Sequence, residues 1–227
     1  AVPAPPDVRW HRWRPGERRR LDYRLFIGPP DPHAYDPFLR HLYDRHRREH
    51  HPAPWMSAPP AAALTAYGLH RWHWHPEHDA LYETAAFDRV HPQLDRPHMH
   101  VGWVSGAPWA HALLSYGRRS ATAVYVDAAT RVLDKIAGAR TPAGTSWGMW
   151  TLERGWRAGW NPDQGWLHAR TLAEATLCLI RAARLEDREG VAHPDWVRAV
   201  ADNLRFAASR QDASGTSART TTTRRVP

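Results

Sequence analysis

Residues 108–138 read PWAHALLSYGRRSATAVYVDAATRVLDKIAG, and this stretch decides the fold. Pro108 suits a first helical turn, and Trp109, Ala112, Leu113 and Tyr116 then form an apolar stripe, with Gly117 as the expected stop. Val124, Ala128, Val132, Leu133 and Ile136 repeat the helical period up to Gly138. Two amphipathic helices joined by a short connection predict an antiparallel helical hairpin.

The same unit recurs downstream. Leu167 to about Leu185 predicts a third helix rich in Ala and Leu, and Pro194 opens a fourth with Trp196, Val197, Val200, Leu204 and Phe206 on its apolar face. Connections alternate in length: 118–122 is short, 141–166 long and 186–193 short. In stacked antiparallel helix pairs, short turns gather at one end and long loops at the other. Residues 70–106, 140–166 and those after Asp212 are therefore expected on one face.

Upstream, residues 8–28 alternate with period two around a turn at Arg14-Pro15-Gly16-Glu17, which predicts strands. Gly28-Pro29-Pro30-Asp31-Pro32 ends them. Pro37 then opens a linker helix carrying Phe38, Leu39, Leu42 and Tyr43, and the prolines of 52–60 punctuate before a short helix from Ala61 to Leu69. The expected division is 1–30 the last hairpin of an antiparallel sheet, 31–60 a linker, 61–212 a partial helical array and 213–227 a tail.

The chain carries 13 Trp, 16 His and 20 Pro, a composition that presents many aromatic and imidazole groups from turns. The single Cys178 cannot form an internal disulfide and lies in an apolar run, so it is expected in the core. No apolar stretch reaches the roughly 18–20 residues of a membrane span. The net charge of +8 is spread over Arg18–Arg20, Arg45, Arg47, Arg48 and the tail rather than clustered, which argues against a nucleic-acid partner.

The long connection holds Trp147, Trp150, Trp156, Trp160 and Trp166 among glycines. Indole faces stack on sugar rings, and Glu153, Arg154, Asn161 and Asp163 offer hydroxyl-binding groups, although packing between hairpins also accounts for such tryptophans. Trp103, His100, His168 and Arg170 join the candidate binding set. Glycosidic hydrolysis uses a carboxylic acid and a second carboxylate. Glu153 and Asp163 are candidates, together with Glu83 and Asp88 (and Asp95) from the preceding loop. The imidazoles of 70–78, followed by His98 and His100, match no standard zinc spacing, so no metal or other cofactor is expected.

The pattern resembles the six-hairpin glycosidase superfamily. Its features here are Pro15-Gly16, the strand ending Leu25-Phe26-Ile27-Gly28, the linker helix, Gly165-Trp166-Leu167-His168-Ala169-Arg170 and His193-Pro194-Asp195-Trp196. Arg210-Gln211-Asp212-Ala213-Ser214-Gly215 looks like the Gln-Asp-x-x-Gly turn after an outer helix of such a ring. The resemblance implies a mainly α fold: an incomplete α/α toroid preceded by the last strands of an antiparallel β-sandwich. It also implies a carbohydrate partner and glycoside hydrolysis, and transfers no catalytic residue to a numbered position. A polysaccharide lyase or sugar epimerase, using Tyr or His as base, and a non-catalytic glycan-binding protein are the alternatives.

From Thr216 the sequence turns polar and Arg-rich, which predicts a disordered tail. With GC-rich codons chosen for Thr216 onward, a shifted frame can spell Leu-Gly-Ala-Tyr-Tyr-Asp-Asp-Ala-Thr-Gly, so a frameshifted or truncated product is a second expectation. A piece of a six-hairpin ring should leave apolar helix faces uncovered.

Overall fold

The computed structural model describes residues 12–20, 22–23, 25–31, 33–46, 55–83, 97–159, 165–213 and 220–222. The chain divides into two units, 1–55 and 56–227. It is mainly α, with six α-helices among the described residues and short antiparallel strands between them.

In the first unit the expected turn forms: the Glu17 N–H donates to Arg14 O at 3.0 Å across Pro15-Gly16. The expected strands do not form among the described residues of 12–28. Tyr23, Leu25 and Ile27 remain 79–88% exposed, because an alternating segment buries its apolar face only against neighbouring strands. Helix α1 (Asp36–His46) matches the linker helix, with Asp36 in its first turn and Arg45 and His46 in its last, as the helix dipole favours. Phe26 stacks on Phe38 at 4.9 Å.

The second unit opens with α2 (Ala58–Gly68), which starts earlier than expected because Pro59 and Pro60 sit in the first turn, where no intrahelical N–H is needed. A π-helical turn, Leu69–His73, leads to strands β1 (Trp74–His75) and β2 (Ala80–Leu81). Then come β3 (His98–His100), α3 (Gly106–Arg119), α4 (Ala123–Gly138), β4 (Met149–Thr151), β5 (Gly155–Arg157) and β6 (Trp166–His168). Helices α5 (Ala169–Arg188) and α6 (Pro194–Ala208) and strand β7 (Thr220–Thr222) complete the order. No described helix is long and apolar enough to cross a membrane.

Helices α3 and α4 form one hairpin and α5 and α6 another; α3 packs on α5 and α4 on α6. Their shared core includes Leu113, Leu114, Val132, Leu133, Ile136, Leu179 and Trp196, with Cys178 buried as expected. Gly117 does not end α3. A Cβ there would lie 2.9 Å from Val126 Cγ2 and 3.0 Å from Val126 N, so its lack of a side chain lets the two helices cross closely. The helix runs on to Arg119, and Ala121, with φ +52°, makes the left-handed step of the turn.

The short-turn end is tied by charge. Arg118 on α3 donates Nε–H to Glu186 Oε1 at 2.8 Å and a second hydrogen bond to Oε2 of the same buried carboxylate. This pairing raises the Arg118 pKa above its ordinary value, against the opposing effect of burial. The His193 ring stacks on Trp196 at 3.7 Å, and the Trp196 indole N–H donates to Asp134 on α4 at 2.7 Å.

At the other end, buried Asn203 on α6 accepts hydrogen bonds from Thr145 Oγ1 at 2.8 Å and Ser146 N at 2.9 Å. It also donates to Thr176 Oγ1 on α5 at 3.0 Å. The start of the long Trp-bearing connection is thereby fixed to the second hairpin. Strands β3, β4 and β5 form one antiparallel sheet, which brings residues from the 70–106 and 140–166 segments together. Among the described residues of the tail, Thr220–Thr222 pairs antiparallel with Trp166–His168.

Candidate functional site

Period-two alternation along β3 turns His98 and His100 to one side and Met99 to the other, where Met99 is wholly buried in the core. Glu83 follows β2, and its N–H donates to His98 O at 3.1 Å, which sets its side chain beside the two imidazoles. Glu83 is 2% exposed. Its Oε1 lies 2.6 Å from His100 Nδ1, and its Oε2 lies 3.2 Å from His98 Nε2.

A tight turn supplies a third partner. Gly106 has φ +51°, and a Cβ there would lie 2.1 Å from His100 O, so the chain can fold back only with glycine at this position. Ser105, just before α3, is carried under β3, where its Oγ donates to Glu83 Oε1 at 2.6 Å and accepts from His100 N at 2.9 Å. Burial alone would raise the Glu83 pKa. The hydrogen bonds from His100, His98 and Ser105 outweigh it and hold the carboxyl well below the usual carboxylate range. Glu83 is therefore an ionised acceptor and not a proton donor.

Trp103 stands at the edge of this cluster in a left-handed conformation, φ +73°, that a bulky residue rarely adopts. Its ring meets that of His100 edge-on at 5.4 Å and is 46% exposed. On the other side, His98 lines an open cleft of about 260 Å³ with Pro97, Met149, Thr151, Glu153, Arg154, Arg157 and Gly159. Register explains the lining: His98 faces Thr151, His100 faces Met149 and Met149 faces Arg157, all on one side of the sheet.

The structure divides the predicted residues. Glu153 sits at the exposed β4–β5 turn, on the cleft rim, paired with Arg154 at 3.4 Å. Trp150 and Trp156 are cross-strand partners on the opposite side of the sheet and pack against the core, so they do not line the cleft. The Lys135 ammonium lies 3.6 Å from the Trp150 ring centroid, and Tyr82 stacks on the same indole at 6.1 Å. Burial lowers the Lys135 pKa, partly opposed by Asp79. Packing, the alternative weighed for the Trp-rich loop, accounts for this pair.

Trp147 is half-buried, and Trp166 is 51% exposed at the start of β6. His168 is half-buried just before α5, whereas Arg170 is exposed and pairs with Glu174 one turn on. Asp88, Asp95, Trp160, Asn161 and Asp163 lie outside the described residues. The imidazoles of the 70–78 run are spread over several aromatic partners. His75 stacks on Tyr82 at 3.9 Å, His73 meets Trp109 at 4.7 Å, and His70 meets Tyr125 at 5.2 Å. The convergent group is instead Glu83, His98 and His100, whose potential ligand atoms all lie within 4.8 Å of one another.

Helical ligand spacings do not reveal this group, because His98-Met99-His100 works through strand periodicity. That His-x-His spacing was the available sequence signal; Ser105 carried none. No family model, curated protein or solved structure matches the chain.

Proposed function

We propose that the chain is a carbohydrate-active protein of the glycoside hydrolase type, working at the cleft beside β3, β4 and β5. The observation that carries the reading is the makeup of that cleft: the Glu153 carboxylate, the Thr151 hydroxyl, the Arg154 and Arg157 guanidiniums and the His98 imidazole share one opening. Such a set suits a polyhydroxylated ligand. Trp103 and Trp166 supply exposed indoles for stacking on sugar faces.

The clamped, ionised state of Glu83 removes it from the role of general acid. Glu153 is then the acid candidate, with Glu83, Asp88 and Asp163 as candidates for the second carboxylate. The two helical hairpins belong, in this reading, to an α/α toroid that follows the end of a β-sandwich. Support comes from the outward face of α5 and α6, where Leu177, Ile180 and Leu204 remain open to solvent, as a face awaiting another hairpin would be.

Two arginines in the cleft favour a second reading, in which the ligand is an acidic sugar handled by a lyase or epimerase. A mass-spectrometric screen of neutral and uronate-containing glycans separates the readings. Added water across a glycosidic bond that disappears in Glu153→Gln supports hydrolysis. Unsaturated uronate products support elimination. Glycan binding without turnover, unchanged in Glu153→Gln, makes this a binding protein.

A further inference from the structure

We infer that Glu83, His98 and His100 form a site for one divalent transition-metal ion of the zinc class. Two imidazole nitrogens and a carboxylate are a donor set such ions take, in particular where positions remain open for water or a ligand. The inference rests on this geometry alone and is independent of the glycan reading.

The donor atoms already stand close together. Donor atoms bound to a single zinc at about 2.1 Å stand roughly 3.0–3.4 Å apart. The carboxylate-to-imidazole separations are 2.6 Å to His100 Nδ1 and 3.2 Å to His98 Nε2. Opening the 2.6 Å contact by about 0.4–0.8 Å, with the three ligand atoms already within 4.8 Å of one another, admits an ion in place of the two N–H protons. All three side chains are buried and come from two local devices: Glu83, two residues beyond β2, and the two same-side positions of β3.

A metal site also needs groups that orient its ligands and a path inward. Ser105 supplies the first through its 2.6 Å hydrogen bond to Glu83 Oε1. His98 supplies the second, because it lines the open cleft as well as meeting Glu83. An ion here presents its remaining coordination positions toward the cleft.

The test uses the 227-residue chain, freed of metal with a chelator and titrated with Zn(II) by calorimetry and with Co(II) by visible absorption. One ion per chain is expected, with Co(II) ligand-field bands. His98→Ala and His100→Ala should each weaken Zn(II) binding at least 100-fold. Ser105→Ala, which retains all three ligands, should weaken it about 10-fold. His75→Ala, in the other imidazole run, should leave it unchanged. A chain that is folded by circular dichroism and takes up no stoichiometric ion overturns the site, as does binding that survives His98→Ala. Neither result depends on glycan turnover.

Discussion

The Ser105 hydroxyl donates to Glu83 Oε1 at 2.6 Å across 22 positions of sequence, joining the residue before α3 to the segment that follows β2. With His100 and His98 on the same carboxylate, it makes Glu83 the point where three segments of the chain meet.

Glu83→Gln replaces one accepting oxygen with an NH₂ group that opposes an N–H or O–H donor. In the metal-free protein this should cost about 2–4 kcal/mol, since it unpairs buried, charge-assisted hydrogen bonds. Ser105→Ala removes a single donor and should cost nearer 1 kcal/mol. Urea denaturation of the two variants checks the order, and equal, negligible losses would dismiss the cluster as a stabilising clamp.

At the opposite end, Arg118→Met leaves the buried Glu186 carboxylate without its two guanidinium hydrogen bonds. A loss of about 3–5 kcal/mol is expected, most of it recovered when Glu186→Leu is added, because an apolar pair avoids the desolvation of both charges. A double-mutant cycle measures this; additive losses would contradict the pairing.

Gly117→Ala raises intrinsic helix propensity by about 1 kcal/mol, yet it should lower stability. Its Cβ would press on Val126 Cγ2 at 2.9 Å and on Val126 N at 3.0 Å, and the backbone contact cannot move aside alone. A rise in Tm would show that α3 and α4 separate easily.

His111 lies in a groove with Arg181, Arg184 and Arg188, and burial first, then the Arg181 charge, lowers its pKa from the ordinary 6.5. The unfolded chain therefore binds a proton at higher pH than the folded one. The contribution of His111 is fully present above about pH 6.5 and is lost as pH falls through the unfolded value toward the lower folded one. His111→Gln should flatten the pH dependence of unfolding on that acid side. An unchanged slope would place the imidazole in solvent.

Trp150→Ala should destabilise the protein by about 2–3 kcal/mol through lost packing against Tyr82 and Lys135. Affinity of the folded variant for any glycan ligand should stay within about twofold, within the roughly 0.4 kcal/mol that corresponds to that factor. A large affinity loss at unchanged stability would return this indole to the binding surface.

Local chemistry made the helices legible in sequence. The apolar stripe on α3, the repeat on α4 and the proline that opens α6 each follow from 3.6-residue periodicity or the missing proline N–H. Alternating connection lengths also implied that the 70–106 and 140–166 segments would share one face; the structure adds that they pair through β3 and β4. Glu83 and His100 could be singled out as chemical candidates, but their partnership could not be, because residues 17 positions apart are joined by strand register and a glycine turn.

Tertiary structure decided which side of a short strand each residue faces. Trp150 and Trp156 went to the core and His98, Thr151 and Arg157 to the cleft, since a shift of one position in register exchanges the two sets. Gly117 likewise reads as a helix stop in sequence, and only the approach of α4 makes it a crossing point. Helix periodicity is a property of neighbouring residues and is written in the chain itself. Convergence at Glu83 depends on contacts between distant segments, which the folded packing alone supplies.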